Sequence, residues 1–165
     1  SGWGMLWNAS GSEVLENKIL VKDSVRDTYA AAVMYMREYG LLPAGYEDMP
    51  IADLINCTDD AMLDAAKGVL TAQREHISGY EVDFGKDDML NEIVYVDLAW
   101  SGDAMWAIEE SYDEDNLYYN PRTGEYDNYM LDYYVPMDED GNATGNIWFD
   151  GWLPTSWQHS SSSTS

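Results

Sequence analysis

Cysteine is almost missing from this 165-residue chain: Cys57 stands alone, so no internal disulfide can form and the fold must close on its own apolar core. One domain of this length can do so without a disulfide or a metal. Basic side chains are scarce as well, eight Lys and Arg against 31 Asp and Glu, for a formal charge of −23. A field of that sign repels DNA, RNA and anionic lipid, so nucleic acid is not an expected partner and a cationic molecule is. No apolar run approaches the roughly 20 residues a membrane-crossing helix needs, and no segment has the make-up of a signal peptide, so membrane insertion is not expected.

The chemistry-bearing motifs of enzymes are also lacking. His76 and His159 have no metal-ligand spacing, Cys57 has no recognisable partner, and neither a Gly-rich phosphate loop nor a Gly-x-Ser-x-Gly elbow occurs. Asp59-Asp60 and Asp87-Asp88 could be paired acids, but both fall at expected helix starts, where the dipole favours them. The acidic loop at 138–144 fails as a calcium loop. Setting Gly141 at the sixth position puts Pro136 first and Ile147 twelfth, where carboxylates are required, so Asp-Gly is read as hairpin-turn chemistry. A non-enzymatic protein with neither cofactor nor metal is expected.

What is present is an alternation of short apolar runs and helical periods. Residues 3–7 form a strand candidate, followed at 9–12 by a Ser-Gly-Ser joint with the look of an engineered junction. Ile19-Leu20-Val21 is a compact buried strand, and Ser24 caps a helix over about 25–39 that Gly40 stops. Pro50 opens a short helix, and Thr58 can cap a longer one to about His76. Residues 80–84 alternate as a half-exposed strand, and 92–99 read as a central strand running into a helix that opens at Ser101 or Gly102. The Tyr/Asp/Asn-rich stretch 112–129 reads as a surface insertion with a small hairpin of its own, and 130–135 and 146–150 as two further strands. The fold class is therefore α/β, an open mixed sheet flanked by helices, with one domain over 1–157 and a Ser-rich disordered tail at 158–165.

Trp7 and Trp106 are assigned to packing, whereas Trp100 and Trp148 end strands. Open α/β sheets bind ligands at strand ends, and two indole faces beside a carboxylate such as Asp150 suit an organic cation, because the ring quadrupole attracts positive charge.

Four short motifs, in family order and at comparable spacing, strengthen that reading: Trp3-Gly4, Ile19-Leu20-Val21-Lys22-Asp23-Ser24-Val25-Arg26-Asp27, Ala99-Trp100-Ser101-Gly102-Asp103-Ala104 and Ile147-Trp148-Phe149-Asp150. Over about residues 19–152 the chain resembles the polyamine-binding proteins of bacterial ABC importers, the spermidine/putrescine type. The resemblance implies a single lobe of a type II periplasmic-binding-protein fold, the second lobe of a clamshell whose first lobe is missing. It implies that Trp100 and Trp148 stack on the polyamine, that Asp150 pairs with an amine, and that Asp27 holds a terminal amine with Ser24 where some members carry Asp. Asp23 matches the family's adjoining acid. An ABC permease is then the parent protein's partner, in a periplasm or on a cell surface as a lipoprotein, and polyamine binding by half a cleft is weak. The chain departs from the family in its short segment 7–14, its long insertion at 112–129 and its Ser-rich end. The reading of a different class is an acidic α/β interaction module or engineered scaffold without a small-molecule ligand.

Overall fold

The computed structural model describes residues 2–137 and 141–145. Its centre is β1 (Ile19–Lys22), in which all four residues are buried, as a strand covered on both faces requires. β2 (Gly79–Glu81) and β3 (Val96–Asp97) pair with it on either side, both parallel, giving the order β2-β1-β3. Parallel neighbours need long crossovers, and the helices supply them. The chain leaves β1 through α1 (Val25–Glu38), α2 (Ile51–Leu54) and α3 (Asp60–Gln73) to reach β2, then crosses to the far side of β1 through α4 (Gly85–Leu90) to reach β3. α5 (Ser101–Glu110) follows β3, and a hairpin of β4 (Tyr118–Asn120) and β5 (Glu125–Asp127) forms a separate antiparallel sheet inside the expected insertion.

α1 forms where the sequence places it, with Ser24 in extended conformation and its hydroxyl accepting the Asp27 backbone N–H. Its small face of Ala31, Ala32 and Val33, with Met36, packs against Met62 and Ala66 of α3 and against Ile19 and Val21. Trp7 closes this core. Its ring stacks on Tyr35 at 4.1 Å and its Nε1 donates to the Val69 carbonyl, so the indole is buried with its one polar atom satisfied.

Several expectations are corrected. Among the described residues the three-stranded sheet is parallel, and the antiparallel pair β4–β5 stands apart from it. Residues 3–7 form a 3-10 helix, not a strand, with Gly4, Leu6 and Trp7 turned inward. The strand expected over 92–99 pairs only at Val96–Asp97, because Glu92 turns through φ 56° and the Val94 N–H goes back to the Asp88 carbonyl. Asp59, not Thr58, precedes α3. Among the described residues no ladder forms over 130–135, where Asp132 is held by Arg122 and Asn120. Trp106 is not core: it is 42% exposed, with the Lys86 ammonium over its ring. The joint at 9–12 is a closed turn, in which Asn8 accepts the Ser12 N–H and donates back to the Ser12 carbonyl. The strand expected at 146–150, with Trp148 and Asp150, and the tail at 158–165 lie outside the described residues.

Candidate functional site

In a parallel sheet of this order the chain runs to one side of β1 and then to the other, and the carboxyl ends of β1 and β3 mark the switch point at which open α/β sheets hold ligands. The side chains found there are charged or aromatic. β1 ends in Lys22, β2 in Glu81 and β3 in Asp97, while Trp100 sits at the N-cap of α5 and Asp27 lies in the first turn of α1. The strand exit and the helix start bring Trp100 and Asp27 together across 73 positions of sequence, the indole Nε1 donating to Asp27 Oδ2 at 3.2 Å. Trp100 remains 40% exposed, so the pair forms an open rim and not a sealed core contact.

Beneath the rim Lys22 is 3% exposed. Its ammonium lies 4.4 Å from the Trp100 ring centroid, donates to Glu81 Oε1 at 3.0 Å and to the Val82 carbonyl, and pairs with Asp103 at 3.6 Å. Lys86 approaches Asp103 through its other oxygen at 3.4 Å. Glu81 uses its second oxygen on the Gly85 N–H. A buried ammonium needs this many partners, since desolvating a charge costs several kcal/mol per ion.

Asp97 is the member of the cluster least provided for. Its Oδ1 is buried without a hydrogen-bond partner among the described residues. Burial, and then the neighbouring Glu81, push its pKa up to about 7 against the opposing pull of Lys22. The other oxygen rests against Gly85, where an added Cβ would lie 2.4 Å from it, so only glycine fits there. Glu81 and Asp103 thus face two ammonium groups, Lys22 and Lys86, while Asp97 holds its proton up to about pH 7, so Asp27 is the carboxylate left without an ammonium partner among the described residues. The rim therefore sets that carboxylate beside an aromatic face, an arrangement with which an organic cation could pair.

Of the residues expected from sequence, Trp100 and Asp27 are brought together. Ser24 lies one helical turn before Asp27, with its hydroxyl engaged in capping at 3.4 Å. Asp23 is exposed and, among the described residues, no hydrogen bond or ion pair joins it to Trp100. Trp148 and Asp150 lie outside the described residues. Lys22, Glu81, Asp97 and Asp103 escape the sequence reading, although a charged residue closing each short apolar strand is a visible signal. Among the described residues no cluster of His, Cys, Asp and Glu could hold a metal ion, and no helix is long and apolar enough to cross a membrane. No family model, curated protein or solved structure shows significant similarity to the chain.

Proposed function

We propose that the Trp100–Asp27 rim is one wall of a cleft for a linear polyamine, and that the chain is the binding lobe of a solute-binding protein serving an ABC importer outside the cytoplasm. The reading is one of binding, with no covalent step. The observation that carries it is the hydrogen bond from the Trp100 indole to Asp27, which fixes an aromatic plane and a carboxylate as one unit at the carboxyl edge of the sheet. A second feature supports it. The Lys22 side chain is itself an alkylammonium, and it sits on the same indole among Glu81 and Asp103, so these groups are spaced for an amine of the spermidine or putrescine kind. In this reading Trp148 and Asp150 are ligand contacts by the resemblance alone, Ser24 and Asp23 border the Asp27 end, and a second lobe closes over the ligand.

One cation–π contact, roughly 0.5–2 kcal/mol, and one or two charge-assisted hydrogen bonds of about 1.5–3 kcal/mol each leave little after the entropic cost of association. Binding by this chain alone is therefore expected near the millimolar range, about −4 kcal/mol. The test is intrinsic Trp fluorescence titrated with spermidine and, separately, with sodium chloride at matched ionic strength. A spermidine-specific change that disappears in Asp27→Ala supports the reading. A change reproduced by sodium chloride would sink it, and micromolar binding by the chain alone would contradict the half-cleft.

A further inference from the structure

Four of the chain's eight Lys and Arg side chains lie over aromatic rings: Lys18 at 5.3 Å from the Tyr95 centroid, Lys22 at 4.4 Å from Trp100, Lys86 at 5.5 Å from Trp106 and Arg122 at 5.7 Å from Tyr133. Arg122 has the complete arrangement, with its guanidinium bound to Asp132 through Nε at 2.8 Å and Nη2 at 3.0 Å while covering the tyrosine. The same ingredients recur next to it without a cation.

A groove of about 660 Å³ lies between the end of α5 and the Tyr-rich hairpin, lined on its apolar side by Tyr112, Tyr118 and Met130 and on its charged side by Glu110, Glu114 and Asp115. None of the eight Lys and Arg lines it, although all eight fall among the described residues. Among the described residues the carboxylates of Glu110, Glu114 and Asp115 make no hydrogen bond or ion pair. Asp113, by contrast, is spent on the Asn116 side chain and the Asp115 N–H, which hold its carboxyl below the ordinary range. The groove is also preformed. Tyr112 meets Tyr129 edge-on at 5.3 Å, and the Asn128 side chain donates to the carbonyls of Asp113 and Asn116, tying the hairpin to the helix end.

We infer that this groove docks a Lys- or Arg-bearing segment of a partner protein. Charge complementarity decides the partner class. Carboxylates without a partner among the described residues, beside tyrosine faces, match guanidinium and ammonium groups, and the −23 field draws in a basic segment while repelling nucleic acid. The groove does not use the Trp100 rim, so the inference stands apart from the polyamine reading.

The test is calorimetry of the whole chain in 50 mM sodium chloride with an end-capped octapeptide of alternating arginine and glycine. Binding is expected to weaken at least tenfold in the triple variant Glu110→Gln, Glu114→Gln, Asp115→Asn. It should weaken less than twofold in Glu13→Gln, Asp48→Asn, Asp64→Asn, which removes the same charge elsewhere, and should be unchanged in Asp27→Ala. All six neutralised positions are exposed, so both triple variants are expected to keep the wild-type circular dichroism. Equal weakening in both triple variants would reduce the effect to bulk charge, and loss in Asp27→Ala would move the peptide to the rim. Absence of heat from the wild type, or spermidine binding as tightly as the peptide and lost in the same groove variant, would likewise overturn a protein partner.

Discussion

Asp97 ends β3 with a buried, unpartnered oxygen and a pKa of about 7, so in the folded protein it keeps its proton over a range where the unfolded chain has lost it. The folded state then binds more protons than the unfolded one between pH about 4 and about 7, and stability from this group must fall as pH rises through that window. Asp97→Asn keeps the shape and removes the titration. Its melting temperature should match wild type near pH 4 and exceed it by several degrees at pH 8, whereas parallel profiles would show that Asp97 ionises freely. Lys22 predicts the opposite sign. Its partner Glu81 is 2% exposed, and removing one member of a buried pair costs roughly 3–5 kcal/mol. Lys22→Met should therefore lower the urea midpoint sharply, and Lys22→Met with Glu81→Gln should recover most of the loss, since the stranded charge goes too.

Among the elements, α1 and the 3-10 helix make the plainest test. Trp7→Phe keeps the apolar ring but loses the hydrogen bond to the Val69 carbonyl, which still accepts within its helix, a cost of roughly 0.5–1.5 kcal/mol read by chemical denaturation. Ser24→Ala removes a long cap and should cost about 0.5–1 kcal/mol. What the sequence disclosed follows the strength of its local signals. Ser24 before a helical period, the compact Ile19-Leu20-Val21 run and Ser101 after Trp100 each specify an element without distant help, and β1, α1 and α5 form there. Residues 3–7 are too few to separate a period of two from one of three, and burial of Leu6 and Trp7 fits either. β3 shortens because the left-handed turn at Glu92 and the return bond to Asp88 arise from α4, which a pattern over 92–99 does not contain. The site was legible in the same measure. Trp100 and Asp27 carry recognisable flanks, whereas Lys22 follows a compact apolar run with no local sign of its burial, which comes from β2 and β3 placing Glu81 and Asp97 beside its strand.

The whole molecule is governed by its surplus of negative charge. With 31 acids and eight bases, self-repulsion opposes compaction, and salt screens it, the Debye length shrinking from about 10 Å at 0.1 M to about 3 Å at 1 M. The melting temperature at pH 8 should rise between 20 mM and 500 mM sodium chloride; a fall would mean that ion pairs such as Lys22–Glu81 outweigh the net field.

The commitment of cations to aromatic rings also settles which primary amines remain chemically available. Lys18 donates to the Ile93 carbonyl beneath Tyr95, Lys22 is buried and Lys86 is held by Asp103, whereas Lys67 on α3 is exposed and its ammonium has no partner among the described residues. An amine-reactive dye or sensor surface would, apart from the terminal amine, attach first through that lysine, giving a nearly uniform orientation that leaves Trp100 and the tyrosine groove unlabelled.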